Sequence, residues 1–375
     1  MKADVISAYS DGRILDKRPS KETLNHPGLI YYASGIDPYE DTPGAYLGAY
    51  ESLGIDVLNR VPSSNVTKRL EPGESAPYNE RYAHAYLGLY DTFFREHFPY
   101  ETPEELFADD SFELDYHALI TPVPHCLDTQ MIGRKMEQAG EIGLYYYMLY
   151  TNLFMWGVEY LGWEVFMIAA MLDPDRFARH FLDKAFAASG SLIGTLCEID
   201  SPYVFVHDDL ADANGPVFPP AWYDEHIFSR YPELWAPVKE AGKKLVFVAD
   251  GNMGPLLPRL RACGVDGVHL ENPATDLDVI LEVFGDGIII CGMDTTLLTF
   301  GTAEQIHDHV AHVAGRTRDI PGFTICSPGG IHANVPLENL EAYFDARVEH
   351  GFTPDGWRKG DRDVAQAMCD LCADT

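Results

Sequence analysis

Polar side chains follow several short apolar runs of this sequence, at the positions where each run ends. They are His207, Asp208 and Asp209 after YVFV, Asp250 and Asn252 after LVFVA, Glu271 after VHL, Asp294 after IIICGM, and His332 beyond TIC. Imidazoles and carboxylates transfer protons and ligate divalent cations. One such residue alone is as often a helix cap. Because five runs share the feature, it indicates a common site.

Alternation along each run selects the side chains that share a face. In a strand, His207 points the same way as Asp209, and His269 the same way as Glu271. If the carboxylates face a pocket, each histidine lies just below its carboxylate, which would fix the imidazole tautomer. A histidine in mid-strand is more often a core residue, so His269 ranks behind His207 and His332 as a candidate.

The elements that must position these side chains are strands that alternate with helices from about residue 143. The strand segments are GLYYYMLYTN, YVFVHDDL, KLVFVADGN, GVHLEN, GIIICGMD and FTICSPGG. Repeated β-then-α units imply parallel strands joined by right-handed crossovers. With at least six units and no GxGxxG motif after a strand, a closed (β/α)8 TIM barrel is favoured over an open doubly wound sheet. In such a barrel the carboxyl ends of the strands form one catalytic rim.

The N-terminal third of the chain shows weaker periodicity than the rest. We predict an irregular, partly helical extension over residues 1–50, the barrel over 51–360 and a C-terminal tail over 361–375. Segment 44–62 predicts a helix ending at Gly54 and then a first strand. The tail contains Cys369 and Cys372 in CxxC spacing, but no second Cys or His pair accompanies them, so we predict a frayed end and not a zinc site.

Aromatic side chains are the other notable feature. Rings at a barrel rim can hold a flat apolar substrate, although core packing is their more common role. Tyr146, Trp156 and His84 are therefore candidate substrate-binding residues, together with the polar rim residues Asn252 and Asp294.

Composition excludes several classes of partner. The formal net charge is -31, from 27 basic and 58 acidic residues, which disfavours nucleic acid and anionic membranes as partners. The apolar stretch 145–172 is interrupted by acidic residues and glycines, so we predict no membrane span. The N-terminal segment has no apolar run typical of a secretory signal, and the seven cysteines are scattered, which predicts a cytoplasmic protein with reduced thiols.

Four segments resemble the uroporphyrinogen decarboxylase superfamily in order and spacing, over about residues 140–352. They are HDDLADANGPVFPPAWYDEHI, FVADGNMGPLL, GVHLENPATDLDVILEVFGDGIIICGMDTTLLTFGTAEQI and SPGGIHANVPLENLEAYFDARVEHG. The resemblance implies the TIM-barrel fold. Its decarboxylases carry an Arg-rich, Gly-Arg-Tyr-containing motif for the propionates of a porphyrinogen. Arg13 and Arg18 do not lie in such a motif, so true uroporphyrinogen decarboxylation is disfavoured.

The resemblance instead favours the branch of methyltransferases that use a corrinoid carried on a separate protein. Zinc in that branch is typically held by a His-x-Cys after the fifth strand and a Cys after the eighth. The matching positions here are Val248, Asp250 and Gly330, so the thiolates are missing. What remains for zinc or another divalent metal is a set of oxygen and imidazole ligands from Asp250, Glu271 and His332.

The resulting hypothesis is an enzyme that demethylates a methyl ether or methylamine and passes the methyl group to a corrinoid-binding protein. Asp250, with His207 and Asp209, would protonate the leaving group of a small-molecule substrate. Two alternatives stay open: a decarboxylase of a small or tetrapyrrole carboxylic acid, and a non-catalytic binding protein.

Overall fold

A curved sheet of parallel strands forms the centre of the computed structural model, which describes residues 2–66, 98–114 and 129–373. The strands of the sheet are β1 (Ser20–Glu22), β2 (Val57–Leu58), β3 (Leu144–Tyr145), β4 (Met148–Leu149), β5 (Tyr203–His207), β8 (Lys244–Ala249), β9 (Gly267–Leu270), β10 (Ile288–Gly292) and β11 (Phe323–Cys326). A small antiparallel hairpin of β6 (Ala211–Asp212) and β7 (Gly215–Pro216) follows β5.

Segments β3 and β4 are two halves of one strand, and together they close the sheet. Leu144 of β3 pairs with Val57 of β2, whereas Met148 of β4 pairs with Phe205 of β5. β1 in turn pairs with both β2 and β11. Within the described residues the nine segments therefore make eight staves of a closed parallel barrel, and the predicted (β/α)8 TIM barrel is confirmed.

Helices surround the barrel and bury one apolar face each. They are Lys2–Asp11, Pro27–Ser34, Thr42–Leu53, Pro103–Ala108, Thr129–Ala139, Phe154–Leu172, Pro174–Phe177, Asp183–Cys197, Pro220–Tyr223, Tyr231–Leu234, Ala236–Glu240, Leu257–Ala262, Leu277–Phe284, Thr295–Phe300, Ala303–Arg316, Leu337–Glu349 and Arg362–Ala373, with π-helical turns at Ala178–Leu182 and Asp224–Phe228 and a 3-10 turn at Gly254–Leu256. The helix Ala303–Arg316 is typical, since Ile306, Val310 and Val313 at helical spacing are buried.

The barrel begins earlier than the predicted boundary at residue 51. The first strand is Ser20–Glu22, which lies between β2 and β11 in the sheet. Its three polar residues carry no apolar alternation, so the periodicity of the sequence could not reveal it. The predicted helix end at Gly54 is confirmed, because Gly54 has φ 65° and caps the helix Thr42–Leu53.

Helix Lys2–Asp11 closes the amino-terminal end of the barrel. Val5 and Tyr9 belong to the same buried cluster as the side chains of the lumen. The Tyr9 hydroxyl hydrogen-bonds with Thr324, and its ring meets Tyr203 edge-on at 5.5 Å. The predicted helical N-terminal region is thus confirmed, and its helix packs against the barrel core.

The C-terminal residues form a helix, so the predicted frayed tail is wrong. Cys369 is buried, its thiol donates to the Ala365 carbonyl at 3.2 Å, and its Sγ lies 3.5 Å from Nε2 of His26. Burial of the apolar side of this helix against Pro27–Ser34 offsets the entropy of ordering the chain end. Cys372 lies outside the described side chains.

One described helix is long and apolar enough to cross a membrane by length and composition. It is Phe154–Leu172, with 19 residues, a mean hydropathy of 1.2 and half of its apolar window buried in the protein. Phe154 and Phe166 are fully buried, and Gly162 with φ 74° interrupts the helical geometry between them. The buried half packs in the core as expected of a barrel helix.

Candidate active site

The carboxyl-terminal half of the barrel lumen gathers the polar side chains that the alternation of the strands predicts. Tyr203 and Phe205 of β5 lie in the apolar cluster of the lumen, and His207 continues the same face toward the rim. On β8, Val246 and Val248 precede Asp250 in the same way. The two strands therefore deliver an imidazole and a carboxylate to one mouth.

Buried His207 and half-buried Asp209 form an ion pair. The Nε2 of His207 lies 3.0 Å from Oδ1 of Asp209, and its Nδ1 lies 2.7 Å from the Tyr150 carbonyl. Burial disfavours the charged imidazole, but Asp209, the Tyr150 carbonyl and Asp250 outweigh it and raise the pKa of His207 to about 9. At neutral pH His207 is a cation whose two N–H groups donate to Asp209 and Tyr150.

The carboxylates of neighbouring strands hold the loop after β8. Asp209 Oδ1 accepts from the Asp250 amide at 2.8 Å, and Glu271 Oε2 accepts from the Gly251 amide at 3.0 Å. Gly251 has φ 76°, and a Cβ there would lie 2.4 Å from the Ala211 carbonyl oxygen. The backbone at the rim is therefore fixed from both sides, and only glycine fits at its turn.

The pKa of the Asp250 carboxyl group moves toward neutrality. Its partial enclosure in the mouth and the like charges of Asp209 and Glu271 outweigh the cations His207 and Lys21, and raise the pKa of Asp250 to about 6. A carboxyl with this pKa can donate a proton near neutral pH, as a general acid must. The predicted catalytic set of Asp250, His207 and Asp209 is thus brought together.

A pocket of about 300 Å³ opens beside Asp250. Its lining residues come from the loops after β8, β9, β10 and β11: Asp250, Glu271, Thr295, Thr296, Leu298, Thr299, Phe300, Pro328, Gly329, Gly330, His332, Asn334 and Val335. Phe300 stands at this pocket with 82% of its surface exposed. The pocket therefore offers a carboxyl group, hydroxyls and an apolar ring to a small molecule.

The predicted metal ligands Asp250, Glu271 and His332 share the pocket wall but do not converge on one point. In the described part of the chain, the one group of three imidazole or carboxylate ligand atoms within 4.8 Å of one another lies elsewhere. The Nε2 of His332 instead lies 3.1 Å from the Gly329 carbonyl. The donors at this rim do not fit a resident zinc ion, and we derive no chemical step through one.

Gly330, which stands where the resemblance would put a zinc thiolate, cannot be a cysteine in this backbone. It has φ 100°, and an added Cβ would lie 2.8 Å from both the Cβ and the carbonyl oxygen of Thr23. The loop after β11 approaches the chain after β1 so closely that no cysteine side chain fits at this position.

Sequence reasoning missed Lys21, whereas the buried and hydrogen-bonded position of His269 agrees with its rank behind His207 and His332. Lys21 lies in the lumen, donates to Thr23 Oγ1 at 3.1 Å and sits 5.2 Å from the ring centre of Tyr146. The Tyr146 hydroxyl is 3.0 Å from Nδ1 of His269, whose Nε2 is 3.6 Å from Cys326 Sγ. Burial, Lys21 and His207 keep the pKa of His269 well below its ordinary value, so this imidazole is neutral.

Tyr146 therefore lies in the lumen beneath the mouth, but Trp156 does not reach the site. Trp156 is fully buried in the outer layer, where its Nε1 donates to Ser189 Oγ at 2.7 Å. Its assignment as a substrate contact is wrong because the helix that carries it turns this ring into the core. His84 lies outside the described residues.

Two further side chains that we predicted to contact the substrate accept hydrogen bonds from nearby backbone amides. Asp294 Oδ1 accepts from the amides of Thr296 at 2.9 Å and Leu297 at 3.0 Å, which makes it the N-cap of Thr295–Phe300. Asn252 Oδ1 accepts from Gly254 N at 3.2 Å. Asp294 thus serves as a helix cap and Asn252 accepts from a backbone amide two residues on, so both polar side chains hold the rim loops.

The His207–Asp209 pair predicts a pH-dependent stability. The pKa of His207 is about 9 in the folded chain and about 6.5 when unfolded, so its stabilisation is complete below pH 6.5 and lost as pH rises through 9. We expect the free energy of unfolding in urea to fall by about 2 to 3 kcal/mol more between pH 6.5 and 9.5 than in Asp209→Asn. Parallel pH curves for the two proteins would contradict the ion pair.

The chain is similar to a known protein family in sequence and to solved proteins in structure. The family model described as "Uroporphyrinogen decarboxylase (URO-D)" matches residues 157–350, just over half of the chain. A solved methyltransferase from Methanosarcina mazei overlaps 93% of this chain and 98% of its own at a TM-score of 0.62, with 17% identity. A xylose isomerase-like TIM barrel protein from Mycobacterium smegmatis, solved with magnesium, overlaps 89% and 98% of the two chains, with 12% identity and a TM-score of 0.37. No curated protein sequence matches the chain.

Proposed function

The chain belongs to the uroporphyrinogen decarboxylase family, and on this premise we propose that it is a methyltransferase that demethylates a methyl ether or methylamine and passes the methyl group to a corrinoid-binding protein. The observation that carries the proposal is Asp250, a carboxyl group with a pKa of about 6 on the wall of a small, open pocket. Family membership alone does not choose this reaction.

Asp250 would supply the proton that the leaving group of such a demethylation needs. When a methyl group leaves an ether, the remaining alkoxide or phenoxide is a poor leaving group unless it is protonated. Asp250 faces the pocket and holds a proton below about pH 6. Asp209, held by the His207 cation, binds the Asp250 amide and so fixes the position of the acid.

The pocket suits a substrate of about one ring and is too small for a tetrapyrrole. Its volume is about 300 Å³, at the lower end of the usual range for ligand pockets. Phe300 provides an apolar face, and Thr295, Thr296 and Thr299 provide hydroxyls. A methoxylated aromatic compound combines a flat ring with polar substituents and therefore matches this lining.

A corrinoid would supply the nucleophile that accepts the methyl group. A corrin ring exceeds the pocket in size, so it would have to meet the substrate from the mouth of the barrel while its carrier protein docks on the rim loops. Phe300, 82% exposed beside the mouth, would lie in the path of such a carrier.

The direct test is release of the demethylated product. The purified full chain is incubated with reduced cobalamin and, in turn, an aryl methyl ether, an alkyl methyl ether and a methylamine, and the phenol, alcohol or amine is measured by chromatography. We expect product from at least one donor, dependent on both cobalamin and protein. If no donor is demethylated with free or protein-bound corrinoid, the proposal is wrong.

A decarboxylase of a small carboxylic acid is the second candidate, and Lys21 favours it. The Lys21 ammonium lies in the lumen, where a buried cation can bind a substrate carboxylate. Carbon dioxide released without cobalamin, and lost in Lys21→Met, would select this reaction. Carbon dioxide release that persists in Lys21→Met would remove the support that Lys21 gives to it.

A further inference from the structure

Three potential metal ligands meet on the outer layer of the barrel, outside the pocket described above. They are Asp175, from the helix Pro174–Phe177, and Glu225 and His226, from the π-helical turn Asp224–Phe228. Their ligand atoms lie within 4.8 Å of one another, which within the described ranges is true of no other group of three. π-helical turns occur frequently at functional sites because they change the direction of neighbouring side chains.

His226 is the member of this group that needs a partner. It is 4% exposed, and its Nε2 lies 4.0 Å from Oε2 of Glu225, beyond hydrogen-bond distance. No described residue hydrogen-bonds to its ring nitrogens, while the Trp222 ring packs against it at 5.2 Å. An imidazole that carries no protein hydrogen bond keeps its ring nitrogens available as metal ligands. The ring of His226 is thus available on the side of the two carboxylates, whose ligand atoms lie within 4.8 Å of its own.

The neighbouring charged residues leave these carboxylates unneutralised. Arg230 pairs with Asp183 at 2.9 Å, and Arg259 pairs with Asp224 at 2.6 Å. Among the described residues, neither Asp175 nor Glu225 has a lysine or arginine partner. The group therefore presents two negative charges and one imidazole nitrogen in a space that a single cation can bridge.

We propose that Asp175, Glu225 and His226 bind a divalent first-row transition metal ion, with Zn²⁺ as the best match. Zn²⁺ accepts carboxylate oxygens and imidazole nitrogens together, with ligand distances near 2.0–2.2 Å. Ca²⁺ and Mg²⁺ prefer all-oxygen sites, so the imidazole disfavours them. Both carboxylates are exposed, so their side chains have room to rotate toward one ion, and water would complete the coordination.

Bound metal would tie the segment after the helix Phe154–Leu172 to the π-helical turn and stabilise the folded chain. An ion that binds the folded state more tightly than the unfolded one raises stability in proportion to the logarithm of its concentration. The site is independent of the proposed methyl transfer, since none of its residues lines the pocket beside Asp250.

The test is Zn²⁺ binding to the metal-stripped full chain, measured by titration calorimetry together with the thermal midpoint. We expect one site in the wild type, and Asp175→Asn and Glu225→Gln should each weaken binding at least about tenfold. Both side chains are exposed, so these variants should fold. Glu233→Gln removes an equally exposed carboxylate from the next helix and should bind Zn²⁺ as the wild type does.

A fourth variant separates this site from the rim of the barrel. Asp250→Asn alters the candidate active site and should leave Zn²⁺ affinity and the zinc-dependent rise in thermal midpoint unchanged. The proposal is overturned if Asp175→Asn and Glu225→Gln bind Zn²⁺ as tightly as the wild type. It is equally overturned if binding is lost in Asp250→Asn alone.

Discussion

Asp250→Ala is expected to lower the rate of methyl transfer at least about 100-fold, because a positioned general acid contributes about 10²- to 10⁴-fold to a rate. Asp250 is the carboxyl group whose pKa, about 6, allows it to hold a transferable proton at the pocket wall. The measurement is single-turnover release of phenol or amine with reduced cobalamin in excess.

The pH profile and a matched control distinguish acid catalysis from a loss of structure. The acid form of Asp250 disappears as pH rises through about 6, so wild-type turnover should fall above that pH, while Asp250→Asn should be slow and flat across it. Asp294→Asn changes a carboxylate at the same rim, but asparagine retains the N-cap, so turnover should stay near that of the wild type. An Asp250→Asn enzyme with wild-type rate and pH profile would refute the role of Asp250.

Arg347→Met is expected to destabilise the fold by about 3 to 5 kcal/mol, which is typical when one partner of a buried ion pair is removed. Arg347 Nη1 lies 2.8 Å from Glu22 Oε1, and both side chains are fully buried between β1 and the helix Leu337–Glu349. Glu22 also accepts from the Tyr343 hydroxyl at 2.7 Å. Without Arg347, a carboxylate would remain in the core without its counter-ion. Urea unfolding at pH 7 measures the loss.

Two further variants test whether the effect comes from the buried charge. In Glu22→Gln with Arg347→Met, both charges are gone, so much of the lost stability should return. Arg358→Met breaks a surface pair with Asp345 and should change stability by less than about 1 kcal/mol. If the double variant is less stable than Arg347→Met alone, packing of the arginine stem explains the loss better than its charge.

The predicted barrel and its rim follow from features that short segments of sequence carry by themselves. Apolar runs of four to six residues define strands β5, β8, β9, β10 and β11, and their alternation puts His207 and Asp209 on one face. The same local information failed for β1, whose residues Ser20, Lys21 and Glu22 are all buried yet all polar. Ser20 and Glu22 are satisfied by hydrogen bonds and an ion pair from distant parts of the chain, and Lys21 lies over the Tyr146 ring. No periodicity of the sequence reports those contacts.

For the candidate site residues too, the sequence indicates some properties and the fold decides the others. Asp250 stands at a strand end that the sequence marks, but its raised pKa depends first on its enclosure in the mouth and then on Asp209 and Glu271 from two other strands. Trp156 and Asp294 have residue types suited to a substrate site, and the fold uses one in the core and the other as a helix cap. Residue type states what a side chain can do, whereas its neighbours decide what it does.

By itself the sequence determined the family, the parallel barrel and the polar residues at the carboxyl ends of its strands, because hydrophobic periodicity and strand-end chemistry are local properties. Only the tertiary structure decided that Lys21, Tyr146 and His269 share the lumen with that rim, and that a Cβ at Gly330 would meet Thr23. The reason is physical: distances, burial and pKa values arise from residues far apart in the chain, which the closure of the barrel brings together.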